Sequence, residues 1–384
     1  MPKEPMPVDE NVAVATETTT SPMEQFPQET RSPNPLLLGM FHRQIDGDHH
    51  LLELAQRRYS AVGLGAEFYP GHLAQLQESL EFRPLSEPRY TAHLPRHLHL
   101  LDSRGWASLT AFASRGRTDA YGLIIHDHPE MALRAADYRQ AIRRLNELLL
   151  KIQPSPYVFI EYAVGLDIDH YAGIFEAAAD CERVSACIDI SHVGIRQAQR
   201  AYAEQYPGQD VCHLTPDAPA LPDRIEAVVS ATATALPIVL DLVRRLGALG
   251  KPLHFHLHDG HPLSTFSRYG VSDHLSFQQE IRLPFEYEGL SQVPLLFGPA
   301  GLQQIVAAAL AALPGDKLSF MLEIHPLHHR LALGPDQDLF KNWEDLRHAE
   351  QMNGWLALIL TNLDLLRNAC LSARLVESFS GETA

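Results

Sequence analysis

Short apolar runs alternate with longer helical stretches along most of this chain, and this alternation constrains the fold more than any other feature. Eight runs have the length and apolar character of buried strands. They span residues 36–41, 60–66, 90–94, 121–126, 157–161, 184–189, 252–258 and 318–323. Helical stretches lie between them, at 48–58, 71–81, 102–114, 131–152, 192–205, 223–249 and 299–313. Strands that alternate with helices favour an α/β fold with a parallel sheet.

The number of strands favours a closed barrel over an open sheet. Eight βα units are the number that closes a (β/α)8 TIM barrel. The alternative, a doubly wound open sheet, predicts a glycine-rich phosphate turn after the first strand. No such turn follows residues 36–41. We therefore predict a TIM barrel.

The composition along the chain predicts three parts. Residues 1–34 are rich in Pro, Thr, Glu and Gln, which predicts a disordered tail. Residues 35–330 form the predicted TIM-barrel catalytic domain, and residues 331–384 form a C-terminal helical extension. The insertion at 259–298, after the seventh strand, is long enough to act as a lid over the active face. In the extension, helices are predicted at 339–352 and 354–375, to pack on the barrel or on a second subunit in a homodimer.

The charge and the cysteine content narrow the class of protein. The chain has 384 residues and a net charge of −16, which disfavours a general binder of nucleic acid. No signal pattern opens the chain and no apolar run is expected to span a bilayer, so we expect a cytoplasmic protein with no membrane partner. The four cysteines lack metal-site spacing and are expected to be reduced and mostly buried: Cys181, Cys187, Cys212 and Cys370.

The segment Val184–His192 carries the clearest functional signal. It is a short apolar strand that ends in Asp189, with His192 three residues further on. The two side chains are expected at the strand's carboxyl end, one at the strand tip and one in the first turn of the next helix. Active sites of α/β barrels lie at that end. Four other strands end in an acid or a histidine in the same way: Tyr121–His126, Tyr157–Glu161, Leu253–His258 and Leu318–Glu323.

Strand alternation brings four of these residues together. Side chains at every second position of a strand share a face, so His254, His256 and His258 all point into the barrel. The same parity points Glu161, Asp189 and Glu323 inward. Three carboxylates this close repel each other unless a cation lies among them. Carboxylate and imidazole ligands suit Mn, Mg, Co, Fe or Zn. The sequence therefore predicts a divalent metal site built from Glu161, Asp189, His256 and Glu323.

Other polar residues near strand ends have weaker signals. His93 and His126 close the third and fourth strands and are expected to be further metal ligands, substrate donors or rim histidines. A solvated loop is the expected setting of Asp273 and His274. Rim or surface positions are expected for the remaining group: His42, Glu67 and residues 325–329.

With these residues in place, the chain resembles the xylose isomerase-like TIM-barrel superfamily over about residues 36–325. The matching parts are Glu161, the Asp189–His192 pair, the HFHLHD segment at 254–259 and Glu323. The resemblance to the sugar epimerases of this group implies that the same four residues of this chain bind the metal and that His192 contacts the substrate. It also implies that Glu161 and Glu323 act as the catalytic acid and base. The epimerases' arginine is replaced here by His261 and Pro262.

The endonuclease IV-type apurinic endonucleases of the same superfamily imply a larger metal site. Their pattern adds His93 and His126 as ligands. Independently of that pattern, substrate binding or a second metal ion is expected at five residues: His93, His126, His192, His258 and Asp259. That family also has an Asp-x-His pair after the seventh strand, where this chain has Ser272, Asp273 and His274.

Three functional hypotheses follow for this chain. The first is a divalent-metal-dependent isomerase, epimerase or related lyase that acts on a small, sugar-like substrate through an enediolate. The second is a multinuclear metal hydrolase or apurinic endonuclease of the endonuclease IV type. The third is a metal-binding barrel without catalytic activity. The first is preferred, because the negative net charge and the lack of a basic loop disfavour a nucleic acid partner.

Overall fold

The wall of the barrel consists of eight parallel strands. The computed structural model describes residues 34–41, 49–81, 83, 89–115, 120–163, 165–264, 274–324 and 349–381. The barrel strands are β1 Leu36–Phe41, β2 Gly65–Phe68, β3 Tyr90–His93, β4 Ala120–His126, β5 Tyr157–Glu161, β6 Val184–Asp189, β7 Leu253–Leu257 and β10 Leu318–Leu322. They close in the order β1-β10-β7-β6-β5-β4-β3-β2. The predicted TIM barrel is confirmed.

Helices connect the strands around the outside. They are α1 His49–Ala61, α2 Leu73–Glu81, α3 Ser103–Arg115, α4 Glu130–Leu133, α5 Ala135–Leu150, α6 Ile168–Glu176, α7 Ile190–Gln205, α8 Ile225–Ala233, α9 Ala235–Gly247 and α10 Gly298–Ala312. A further helix, α11 Ala349–Gly381, follows the last strand. Short 3₁₀ turns are formed by Val211–His213, Pro222–Arg224, Pro262–Ser264 and Gly315–Lys317. The helix α6 was not predicted from the sequence. Its N-cap is Asp167, whose side chain accepts a hydrogen bond from the backbone N–H of Asp169.

One predicted strand is misplaced. The run at 60–66 was expected to be a strand, but α1 continues to Ala61 and β2 begins only at Gly65. Gly63 lies between them with φ +65°, the left-handed conformation that commonly ends a helix. The shift brings Glu67 into the middle of β2, where it pairs with Met40 of β1 and Thr91 of β3.

The insertion after β7 is partly a β-hairpin. Strands β8 Ile281–Tyr287 and β9 Leu290–Val293 pair antiparallel and form a separate two-stranded sheet. Before the hairpin, Asp259 and Leu275 exchange two backbone hydrogen bonds. Asp273 lies outside the described residues. Whether the insertion acts as a lid stays a prediction.

The described part of the C-terminal segment, residues 349–381, is one helix, without the break predicted between residues 352 and 354. Over its described part, α11 runs without a break through Asn353 and Gly354. It packs on α10 and α1. The indole N–H of Trp355 donates to the backbone oxygen of Ile324 at 2.9 Å, and Asn362 hydrogen-bonds the hydroxyl of Ser276. Packing on the barrel is therefore confirmed. The predicted dimer, the disordered tail at 1–34 and the first part of the extension stay predictions.

Among the described residues, two helical segments are long and apolar enough to cross a membrane by length and composition alone: Pro222–Gly247 and Met352–Leu375. The expectation of a protein without a membrane partner stays a prediction. In both, part of the surface is buried inside the protein, as with Val239 and Leu242 in the first and Leu363 in the second. Core helices meet the same criterion, so the finding alone does not indicate a membrane protein.

The barrel wall has apolar packing on its outer face and a mixed interior. The outer face packs against the helices and contains residues such as Val158 and Ile160, both fully buried. Inside, a small aromatic cluster fills the lower part: Tyr121, Tyr157 and Phe159. Gly122 makes room for it, because a Cβ there would come within 2.5 Å of the Phe159 ring. Above this cluster the interior becomes polar.

Candidate metal centre

The polar part of the interior lies at the carboxyl ends of the strands. Glu161 and Asp189 are the last residues of β5 and β6, and His93 and His126 are the last residues of β3 and β4. His256 lies near the end of β7, opposite Asp189 in the strand register. Three sets of side chains here have donor atoms that all lie within 4.8 Å of one another. We call them the first, second and third donor groups.

The first donor group consists of His93, His126 and Glu161. Glu161 Oε2 lies 2.7 Å from His93 Nε2 and 3.3 Å from His126 Nε2. The two Nε2 atoms are themselves 3.3 Å apart. Two ring nitrogens and a carboxylate oxygen thus face one point, an arrangement that requires a shared proton or a cation.

The second donor group consists of Glu161, Asp189 and His256. His256 Nδ1 lies 3.6 Å from Glu161 Oε1 and 4.0 Å from Asp189 Oδ2. Glu323 directly follows β10, the strand next to β7. Its Oε2 lies 3.0 Å from the same Nδ1 atom of His256. The four predicted metal ligands therefore do converge, around His256 Nδ1.

The third donor group consists of Asp189, His192, His258 and His274. Asp189 Oδ2 lies 3.1 Å from His258 Nε2 and 3.4 Å from His192 Nδ1. Its other oxygen accepts the backbone N–H of His192 at 2.9 Å, which caps α7 and fixes the Asp189–His192 pair. The ring of His274 stacks on that of His258 with centroids 4.0 Å apart.

Two carboxylates connect these groups. Glu161 directs Oε2 to the histidines of the first group and Oε1 to His256 of the second. Asp189 belongs to both the second and the third groups. A carboxylate whose two oxygens face different donor sets can bridge two cations. The three groups therefore form one continuous centre.

The electrostatics of the centre favour charged carboxylates. Burial raises the pKa of Glu323, but His256 outweighs burial and holds the pKa at about 2. Burial also raises the pKa of Glu161, yet His126, His256 and His93 together lower it well below its usual range. The pKa of His256 is raised well above the ordinary value, since the neighbouring acids outweigh its burial. By contrast, burial lowers the pKa of His126 to about 4.

The donor atoms fit a divalent metal ion. Within the described part of the chain, three buried side chains have atoms without a hydrogen-bond partner at this centre: His192 Nε2, both ring nitrogens of His256, and Glu323 Oε2. Buried polar atoms are rarely left without partners. Imidazole nitrogens and carboxylate oxygens are the ligands that Zn²⁺, Mn²⁺, Co²⁺ and Fe²⁺ accept. The buried His, Asp and Glu groups could thus hold metal.

A further set, Cys187 with His254 and His256, also has donor atoms within 4.8 Å of one another. It is a poorer metal site. Burial raises the pKa of the Cys187 thiol, which favours the protonated form. Both ring nitrogens of His254 are already hydrogen-bonded, to Ser319 Oγ at 2.7 Å and Glu67 Oε2 at 2.9 Å.

The structure brings together all the predicted site residues except Asp259. Its carboxylate accepts the backbone N–H groups of Gly260, Phe297 and Gly298 at 2.8, 3.3 and 2.7 Å. It therefore holds the start of α10. The residue belongs to none of the donor groups found among the described residues.

Two residues of the centre were underestimated from the sequence. His274 was expected in a solvated loop but is 5% exposed and stacked on His258. Glu67 was expected at the rim but is 0% exposed, because the strand was assigned too early along the chain. Gly63, a helix-ending residue, is the signal that would have shifted the strand. His42 and residues 325–329 lie outside the described residues.

Fold and site together define a class: a TIM barrel whose strand ends carry buried His, Asp and Glu groups that could bind metal. No protein-family model matches the chain, and no curated protein matches its sequence significantly. Among solved structures, it is similar to "The crystal structure of AsfvAP:AG", with a TM-score of 0.44 and 12% identity over 87% of this chain and 100% of that one.

A second structural neighbour is the carboxyl transferase domain from Rhizobium etli pyruvate carboxylase. The TM-score is 0.35 and the identity 12%, over 88% of this chain and 47% of that one. The chain thus spans about half the length of this neighbour. Scores and identities this low assign no function.

Proposed function

We propose that this chain is a hydrolase that uses two or more divalent ions to cleave a phosphate ester, with a centre arranged like that of endonuclease IV-type enzymes. The observation that carries the proposal is the position of Glu161, whose two oxygens face different donor groups. Sites with two adjacent ions are typical of phosphatases and nucleases, where they stabilise both the attacking and the leaving oxygen. A single-ion isomerase does not need a bridging acid.

The donor groups suggest how ions would be held. The first group would hold one ion through His93, His126 and Glu161. Glu323 would join the second group at a second ion. A third ion would take Asp189 and the histidines of the third donor group. Divalent ions at such sites act as Lewis acids on substrate oxygens and lower the pKa of water.

Other side chains would shape the site for a substrate. The hydroxyl of Tyr69 lies 3.0 Å from Glu323 Oε1 and 3.1 Å from Glu67 Oε1, and its ring stacks on His93 with centroids 4.7 Å apart. Tyr69 would therefore fix both Glu323 and His93 in place. The net charge of −16 favours a small phosphate ester over a long nucleic acid.

Metal analysis combined with a phosphoesterase assay tests this proposal. We expect two or three divalent ions per chain, and hydrolysis of a model phosphodiester such as bis-p-nitrophenyl phosphate. Glu161→Gln should lose both the bound ions and the hydrolysis. The control variant Glu176→Gln changes an acid that pairs with Arg245 on the outer surface, and it should retain both. One ion per chain with no hydrolysis of phosphodiester or monoester would refute the proposal. Cleavage of an abasic DNA duplex would support hydrolase activity but would contradict the expectation of a small substrate.

A metal-dependent sugar isomerase or epimerase is the second candidate. It is favoured by the approach of Glu161 and Glu323 to the same atom, His256 Nδ1, at 3.6 and 3.0 Å. Two carboxylates beside one ion could remove and return the proton next to a sugar carbonyl. One ion per chain and solvent deuterium incorporated into a ketose would support this candidate. Glu323→Gln should then abolish the exchange; retained exchange would exclude Glu323 as acid or base.

A further inference from the structure

Glu67 is a buried acid that belongs to none of the three donor groups. It lies on the inner face of β2 and is 0% exposed. Thr91 donates its hydroxyl proton to Oε2 at 2.6 Å, and His254 Nε2 lies 2.9 Å from the same oxygen. Oε1 faces Tyr69 and His256. Several polar partners thus offset the cost of burying this charge.

The contact with His256 places Glu67 opposite the second donor group. His256 Nε2 lies 3.0 Å from Glu67 Oε1, while Nδ1 lies 3.0 Å from Glu323 Oε2 on the other side of the ring. Both contacts are at ion-pair distance but outside hydrogen-bond geometry. A neutral imidazole carries one N–H and one lone pair. A metal ion in the second donor group would take the lone pair of Nδ1. The single N–H of the neutral ring would then be at Nε2, beside Glu67 Oε1.

His254 shows how the other oxygen of Glu67 is held. It precedes His256 by two positions on β7 and faces the same interior. Its Nδ1 lies 2.7 Å from Ser319 Oγ and its Nε2 2.9 Å from Glu67 Oε2. The ionised carboxylate of Glu67 can only accept, so the N–H of His254 is at Nε2 and donates to it. Nδ1 then accepts from the Ser319 hydroxyl. Both ring nitrogens of His254 are used in this way, so its role is to anchor Glu67.

We propose that Glu67 is a positioning residue that holds the Nε2–H tautomer of His256, so that Nδ1 is the atom that binds a metal ion in the second donor group. Carboxylates that accept the second N–H of a metal-binding histidine orient the ring and raise its basicity. Removing such partners typically weakens metal binding or activity by about 10- to 100-fold. This inference rests on the metal-binding part of the proposed function and not on the reaction.

The first test is the metal affinity of Glu67→Gln. Glutamine keeps the shape and can still accept one hydrogen bond, but it loses the charge. Titration of Co²⁺ into the metal-free protein, followed by calorimetry, should show binding about 10- to 100-fold weaker than wild type at one site, with the same number of ions. An affinity within twofold of wild type would overturn the proposal.

Tyr171→Phe provides a matched control for loss of buried hydrogen bonds in the barrel wall. The Tyr171 hydroxyl donates to the backbone oxygens of Ile160 and Cys187, on the strands that carry Glu161 and Asp189, but from the outer side. The control should unfold at a lower temperature and bind Co²⁺ as wild type does. If Tyr171→Phe weakens Co²⁺ binding as much as Glu67→Gln, the effect of Glu67 is merely structural and the proposal fails.

A second test uses the wild-type protein and so does not depend on whether a Glu67 variant folds. In wild-type protein loaded with Zn²⁺ and labelled with ¹⁵N-histidine, NMR should show His256 protonated at Nε2 and bound to metal through Nδ1. The opposite assignment would overturn the proposal. If Glu67→Gln does not fold, Thr91→Val keeps the charge, removes one hydrogen bond to it, and should weaken Co²⁺ binding about three- to tenfold; unchanged binding would count against the proposal.

The outcomes separate this inference from the proposed function. If wild-type protein binds no metal, both fail. If wild type and Glu67→Gln bind Co²⁺ equally, only the role of Glu67 fails. If binding and the Glu67 effect are as expected but no phosphate ester is cleaved, only the hydrolase proposal fails.

Discussion

Ile160 and Glu161 are neighbours on β5 and are almost equally buried, at 0% and 3% exposed, yet they face opposite sides of the barrel wall. Ile160 packs in the apolar outer shell between strands and helices. Glu161 lies among histidines at the inner mouth. Equal burial thus serves two purposes: apolar contacts outside stabilise the fold, while charged groups inside are stable only with compensating charge.

The largest expected effect on stability comes from the outer shell. Ile160→Ala should lower the free energy of unfolding by about 2–5 kcal/mol, because it removes buried methyl groups and leaves a cavity. Divalent metal affinity should not change. Denaturant unfolding measures the first quantity and calorimetry the second. Weakened metal binding in this variant would show that the two faces of β5 are not independent.

The complementary substitution on the inner face should affect metal binding more than the fold. Glu161→Gln is expected to weaken the binding of two ions at least about 100-fold, beyond the range of an outer-sphere partner, because each group loses a charged oxygen. Titration of metal-free protein with Co²⁺ measures this. Loss of only one ion would contradict the bridging position of Glu161.

The pH dependence of metal binding should distinguish the first donor group from the second. The pKa of His256 is raised well above its ordinary value, so a metal ion must displace its proton near neutral pH, and affinity should rise with pH. The slope should approach about tenfold per pH unit for one proton. His126, whose pKa burial lowers to about 4, is already neutral and should add no slope. Calorimetry at several pH values measures how the metal affinity depends on pH. An affinity that does not change with pH would contradict the displacement of a proton from His256.

The smallest effect is expected at Asp259, a buried acid outside the donor groups. Asp259→Asn should lower the free energy of unfolding by about 1 kcal/mol, because the backbone N–H groups of Phe297 and Gly298 at the start of α10, and that of Gly260, lose a carboxylate acceptor. The number of bound ions should stay the same. Loss of a bound ion in this variant would support the role in substrate or metal binding that was predicted for Asp259 from the sequence.

Much of the site could be predicted because it depends on local pattern. The residues at strand ends follow from strand alternation, which is a property of consecutive residues. Glu161, Asp189, His256 and Glu323 were found in this way. The assignment of Glu67 failed for an equally local reason: Ala61 and Val62 extend an apolar run that in fact ends a helix. His274 was missed because nothing in its neighbouring residues indicates burial.

By itself, the sequence determined the barrel, through eight apolar runs between helical stretches, and the acids and histidines at its mouth. Only the tertiary structure decided which atoms meet. Glu67 and His254 are 187 positions apart, and their contact depends on the register of strands that the whole barrel must close. The sharing of Glu161 between two donor groups likewise depends on the packing of five neighbouring strands, β3 to β7. No periodicity within one segment encodes such distances, because they arise only when the strands pair.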